Sequence, residues 1–432
     1  MRTHAILGLT IGLLALGIDA ASIKHASGSH STRQVNGEVI HKITDGLNRV
    51  VTPPGKPKLV LGQMAPKRKS RKSKSLHTSL YKQASSSYGT STSTASAADP
   101  RITDTPGDLR AATAPKGTRN SLGMGQDPSP IALKNPNGTV SYFFPDSDFK
   151  NTALMRMSAD LNEANRAPPQ AIHTYGMIGT EAPDVAVWQG SQLIYTVSST
   201  KDDKLRALTS DTDDPLGTWT SHGVITYRGQ PAEGFDSHVF THPNGKRYLL
   251  YSNHAAILIA EMSSPNTLAK KPKPIVSYVG QGGGPLSIFN CEAPATVLLP
   301  NKNGSTTVNL AFSTGDFRAA DYQTRLMYQD GSLDPTVPHH WLIADEPMLR
   351  TDSSVSVYGP GSGGFFDCPS ANGDANTLDA KCFAYGAFSQ SSGEGNALFP
   401  TGNRRTIRVQ HVDHDEHGVI EPMHVIATPV IT

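Results

Sequence analysis

One recurring unit constrains the fold of this chain more than any other feature. An acidic residue next to or near Pro or Phe precedes a strand, a turn built on Asn-Gly or Gln-Gly, and a second strand. The unit reads QDPSPIALKNPNGTVSYFF with Asp127, EAPDVAVWQGSQLIYTVSS with Glu181 and Asp184, GFDSHVFTHPNGKRYLLYSN with Asp236, and CEAPATVLLPNKNGSTTVNLAFS with Glu292. A fifth unit, GPGSGGFFDCPSANGDANTLDAKCFAYGAF, keeps the hairpin and lacks the carboxylate. Asn-Gly between alternating apolar runs is a hairpin signal, and long periodic helical segments are missing. Antiparallel units repeating every 50 to 65 residues or so match a β-propeller, and residues 121–432 accommodate five blades. In that architecture the heads of the innermost strands converge on one funnel. Acidic residues gathered there repel one another, so their recurrence points to a functional site.

The rest of the chain is different in kind. Residues 1–20, MRTHAILGLTIGLLALGIDA, combine a basic start, a short apolar run and a small-residue end, the pattern of a secretory signal peptide. No other run reaches the roughly 18 apolar residues of a membrane span. An exported protein without a membrane span, probed outside the cell as a monomer, is the expectation. Residues 21–120 are rich in Ser, Thr and Lys and hold 17 Lys/Arg against 5 Asp/Glu, a net +12. Such a stretch is predicted to be a disordered basic arm, because it buries too little apolar surface to offset its ordering entropy. Residues 121–432 hold 21 against 31, a net −10, so the total of +2 conceals a basic arm on an acidic body. The Lys67–Lys74 cluster reads as a solvated linker, with dibasic processing and a wall or membrane anchor as alternatives; export argues against a nucleic-acid partner.

Of three cysteines, Cys368 and Cys382 bracket one loop and are expected to pair in an oxidising compartment, leaving Cys291 odd. Asn137-Gly-Thr and Asn303-Gly-Ser are glycosylation sequons in turns. The spacing of the sixteen histidines resembles no zinc site, and no metal is assigned. No nucleotide-binding loop or hydrolase Gly-x-Ser-x-Gly elbow is present.

In order and spacing these motifs resemble glycoside hydrolase family 43, five-bladed propellers that cleave arabinofuranosides and xylosides. The likeness covers residues 121 to about 427. It implies Asp127 as general base, Glu292 of CEAPATVL as general acid, and Asp236 as the carboxylate that tunes and orients the acid. It implies inversion at the anomeric carbon, with a water between base and sugar and carboxyls about 6.5–9.5 Å apart. Substrate contacts are expected from Phe235, Phe289, Glu181, Ser362, Arg405 and Arg408. Glu181 stands where family members commonly carry Trp, Ala293 where they carry Gly, and Ser362 where they carry a His associated with a central metal ion. No cofactor is expected, and Ser362 in place of that His puts a central calcium in doubt. The substrate expected is a plant cell-wall pentosan, cleaved by an α-L-arabinofuranosidase. The alternative is a propeller that binds carbohydrate, or acts as a secreted interaction protein, without cleaving.

Overall fold

The computed structural model describes residues 30–35, 38–43, 113–116, 118–253, 256–277, 290–389 and 405–426. The signal-like start and most of the basic arm lie outside them. Contacts divide the chain into two units, residues 1–99 and 100–432. In the first, an antiparallel pair joins β1 (His30–Val35) to β2 (Glu38–Ile43), where composition predicted no element.

Among its described residues the second unit is β apart from one α-helical turn, α1 (Leu161–Ala164), capped by Asp160, and two 3-10 turns at Pro338–His340 and Ser353–Val355. Its strands form five sheets in chain order, paired antiparallel except for one contact, Thr226 with Thr267, in the third. The first holds β3 (Ile131–Lys134), β4 (Val140–Ser147), β5 (Thr152–Ser158) and β6 (Gln170–Thr174). The second holds β7 (Thr180–Gln189), β8 (Gln192–Ser199), β9 (Arg206–Ser210) and β10 (Trp219–Val224). The third has seven strands: β11 (Thr226–Tyr227), β12 (Gln230–Pro231), β13 (Phe235–Thr241), β14 (Arg247–Ser252), β15 (Ala256–Ser264), β16 (Thr267–Leu268) and β17 (Lys273–Ser277). In the fourth are β18 (Asn290–Pro300), β19 (Thr306–Gly315), β20 (Gln323–Asp330) and β21 (Leu342–Ile343). The fifth has β22 (Tyr358–Cys368), β23 (Ala380–Phe388) and β24 (Thr406–His411).

Three of the repeated turns close in the same way. Gly138, Gly245 and Gly304 adopt φ of +84°, +79° and +83°, and each donates its N–H to the carbonyl three residues back. A left-handed residue at that place matches the twist of the flanking strands, and glycine adopts it without a Cβ penalty.

Alternation along each strand supplies apolar side chains to both sheet faces, and each face packs on a neighbour. Phe143 and Met155 of the first sheet pack with Val185 and Tyr195 of the second. The second meets the third around Ile194 and Leu249, the third meets the fourth around Ile259 and Leu310, and the fourth meets the fifth around Leu326 and Phe383. Tyr142 and Phe144 of the first then pack with Phe366 and Val409 of the fifth. The order is cyclic, a propeller-like arrangement.

The ring is closed by the chain that precedes β3. Leu122 donates to Ile407, Ile407 to Gly123 and Gly125 to Arg405, while the Asn120 side chain makes two bonds to the Val409 backbone. Thr113 already bonds His411 through backbone and side chain, so contacts with the ring begin before residue 121. The pairing of Cys368 with Cys382 is present, with Cα atoms 5.8 Å apart, and ties β22 to β23. Cys291 is buried in the third–fourth sheet interface. Asn137 and Asn303 are exposed in their turns. Among the described residues no helix is long and apolar enough to cross a membrane.

Candidate active site

Within or just before β3, β7, β13, β18 and β22, one strand of each sheet, stands a residue with a left-handed backbone: Asp127 (φ +54°), Ala182 (+42°), Asp236 (+50°), Ala293 (+51°) and Ser362 (+49°). None is glycine, and each such residue costs about 1–2 kcal/mol. Register shifts mark the same points in β7, β13, β18 and β22. A bulge there swings a side chain off the pleat toward the ring axis. Pro128, Pro183 and Pro294 follow three of the five. They disfavour a right-handed helical conformation in the residue before them, and on an axis-facing edge their missing N–H leaves no ladder bond unmade. The five heads line one central cavity of about 30 Å³, room for a water or two.

Four carboxylates meet at this end. Burial pushes Glu292 up to about 7; the Tyr322 hydrogen bond and Arg405 oppose the rise, and Asp127 and Asp316 add to it. Glu181 is likewise raised to about 7, by burial first and then by the charges of Asp127, Asp203 and Glu292. Burial, then Glu292, Asp127 and Glu181, hold Asp236 well above the usual carboxylate range. Asp236 Oδ2 accepts the Ala293 N–H at 3.0 Å, which fixes it beside the residue that follows Glu292. Asp127 Oδ1 accepts the Ser362 hydroxyl at 2.5 Å and faces Arg405 Nη1 at 3.7 Å. Asp127 and Asp236 thus line the central cavity, and Glu292 and Glu181 lie within range of their charge. Glu181-Ala182-Pro183 and Glu292-Ala293-Pro294 repeat one tripeptide at one position of two sheets, in keeping with the place of Glu181 among the recurring acidic heads.

Below the carboxyls, Asp184 joins three sheets. Buried, it accepts from the Ser129 hydroxyl and the Val239 N–H, and lies 3.1 Å from His238 Nδ1, whose Nε2 meets Thr296. Trp188, Trp219 and Trp341 are buried as packing residues.

Other expected contacts divide. Arg405 is buried beside Asp127, bonds the carbonyls of Gly361 and Gly386, and borders the adjacent cavity. Arg408 departs from the expectation. It has no exposed surface, its guanidinium bonds Ile426 O and the Ser389 hydroxyl, and burial lowers its pKa. Arg405 and Arg408 are three apart, and residues an odd number apart on an extended chain face opposite ways, so one segment aims only one of them at the axis. Phe235 is half-buried opposite Ser252. Phe289 lies outside the described residues.

Beside the carboxyl cluster opens a second cavity of about 740 Å³, bordered by Met124, Phe149, Phe317, Arg318 and Arg405. Phe149 combines two unfavourable features: it is 54% exposed and its φ is +55°. Asp148 holds it so, accepting the N–H groups of Lys150, Asn151 and Thr152 at 2.8–2.9 Å. Burial works against that carboxylate, but the three bonds prevail and keep its pKa well below the usual range. Sequence reasoning missed Phe149 and Phe317. The chain offered a sign of the former in DSDFKN, an Asx turn that aims an aromatic outward.

A ring of sheets with proton-bearing and hydrogen-bonded carboxyls at its axis is the equipment of glycosidic-bond hydrolysis. The sequence profile "Glycosyl hydrolases family 43" matches residues 118–416, and the chain belongs to that family of glycoside hydrolases. It is 24% identical over 258 residues to an extracellular exo-alpha-(1->5)-L-arabinofuranosidase of Streptomyces avermitilis, covering 55% of this chain and 50% of that protein. This chain therefore spans about half the length of that relative. Among solved structures, an alpha-L-arabinofuranosidase from Lactobacillus brevis superposes with a TM-score of 0.58 at 20% identity, covering 72% of this chain and 98% of that one. A thermostable family-43 glycoside hydrolase gives 0.51 at 17%, covering 72% and 95%. These likenesses carry the fold.

Proposed function

We propose that the five sheets are the blades of one propeller, and that the protein is an exported inverting glycosidase acting on plant pentosans as an α-L-arabinofuranosidase. The carrying observation is that Glu292, raised to about 7, feels the charge of Asp127, which lines the central cavity together with Ala293, the residue after Glu292. Glu292 gives its proton to the glycosidic oxygen as the bond to the anomeric carbon breaks. Asp127 takes a proton from the water that attacks that carbon from the opposite side. Asp236, raised well above the usual range, keeps a second charge from forming beside the acid. Ser362 donates to Asp127 in this scheme. Export is supported by the signal-like start, by a disulfide suited to oxidising compartments, and by the extracellular description of the relative. Polysaccharide is the partner, and a monomer suffices.

The test is release of arabinose from 4-nitrophenyl α-L-arabinofuranoside and linear arabinan, with the β-D-xyloside as comparison. The first sugar anomer, followed by proton NMR, should be inverted. Retained configuration would overturn the mechanism. Sugar binding without release would favour the non-cleaving carbohydrate binder.

Phe149 is expected to stack on a neighbouring sugar of the chain, since a rigid exposed ring beside the cavity offers a flat apolar face. Phe149→Ala should raise KM for arabino-oligosaccharides about 5- to 20-fold, from a loss of roughly 1–2 kcal/mol. KM for the short nitrophenyl substrate should change less. Equal changes on both would rule out the stacking role.

A further inference from the structure

Glu292 is met from behind by a buried side chain to which nothing above gives a role. Tyr322 has no exposed surface, and its hydroxyl lies 2.7 Å from Glu292 Oε1. Burial, then the nearby Glu292 charge, hold the phenol well above its usual pKa, so it keeps its proton. The direction of the bond follows from its neighbours. Ser313 also hydrogen-bonds the phenol oxygen, while Ser313 Oγ accepts the Ser362 N–H at 2.8 Å. With its own oxygen accepting from Ser362, the Ser313 O–H is free to turn to Tyr322, whose O–H then points at Glu292.

The ring has a second contact. Arg405 Cζ sits 5.1 Å from its centroid, and Arg405 is the group that faces Asp127. Glycines leave the space for this stack. A Cβ on Gly361 would stand 2.4 Å from Tyr322 Cε1, and one on Gly386 would stand 2.9 Å from Arg405 Cζ.

We propose that Tyr322 is the positioning residue of the general acid: its hydroxyl occupies Oε1, so the transferable proton is carried on Oε2, toward the pocket. As that proton leaves, the negative charge that develops on the carboxylate strengthens the Tyr322 bond, so the contact favours the transition state over the ground state. Through Arg405 the same ring keeps base and acid in register. This inference rests on Glu292 being the acid.

Tyr322→Phe tests it. Loss of a hydrogen bond to a charged group predicts a kcat lower by roughly 10- to 100-fold with KM within about threefold. Asp127 and Asp316 act on Glu292 with negative charge and Arg405 with positive charge, Asp236 and Glu181 stand near it as acids of raised pKa, and all are retained in the variant. The bond favours ionised Glu292, so its removal should move the alkaline limb of the kcat profile to higher pH. A purely structural residue would lower Tm and leave the limb in place. Ser313→Ala keeps the ring and should shift the limb the same way by less, which covers the case of a Tyr322→Phe protein that does not fold. Native kcat and an unmoved limb in the folded variants overturn the proposal. On arabino-oligosaccharides Glu292→Gln must lose about 10³-fold or more in kcat; native kcat there would mean that the glycosidase reading itself fails.

Discussion

Asp127→Asn and Glu292→Gln should each reduce kcat on arabino-oligosaccharides by about 10³-fold or more, since each removes one of two proton transfers worth roughly 10²–10⁴-fold apiece. The two variants should differ on an activated substrate. 4-Nitrophenol leaves readily as its anion, so Glu292→Gln should recover much of its loss there. Asp127→Asn should not, because the attacking water still lacks its base whatever the leaving group. Rates on the two substrates, with Tm recorded for each variant, decide the assignment. Equal losses on both substrates for Glu292→Gln would remove it from the acid role.

How far the sequence carries one toward this site depends on whether a feature is local. The hairpins are local, since Asn-Gly turns and alternation define them, and the structure has a hairpin at each of the five units. The extra strands of the third sheet are two-residue pairings that depend on neighbours, as in the parallel contact of Thr226 with Thr267. Closure through Asn120–Gly125 joins segments nearly 290 residues apart, and no periodicity announces it. The acidic heads were legible because they recur at one place in successive units. Glu181 is among those heads and among the expected substrate contacts, and its tripeptide duplicates that of Glu292 and folds into a bulge at the corresponding place. Tyr322 left no trace: it lies in the loop before β20, and only tertiary packing brings its hydroxyl to Glu292.

The clustering also fixes how stability should respond to pH. An acid whose pKa is raised by folding stays protonated in the native state while the unfolded chain has already ionised. Between the ordinary glutamate value of 4.5 and about 7, native protein with Glu292 binds more protons than unfolded, so stability contributed by this group falls as pH rises. Above about 7 the loss is complete. Glu181 behaves alike over the same window. Glu292→Gln fixes the group as neutral while its amide oxygen can still accept from Tyr322, so the variant should be more stable than the native protein at pH 8 and indistinguishable from it at pH 4. The shift corresponds to about 3 kcal/mol at most, since one pKa unit is about 1.4 kcal/mol. For a domain of this size that is about 5 °C in Tm. Other carboxylates, such as Asp148 and Asp202, are held below their usual range and lose stability toward low pH, which is why the difference between variant and native protein is the quantity to follow. Thermal unfolding of both at pH 4, 6 and 8 gives it directly. A variant less stable than the native protein at pH 8 would mean that Glu292 is held as a structural anion, and the strain stored by the five left-handed heads would then need another function.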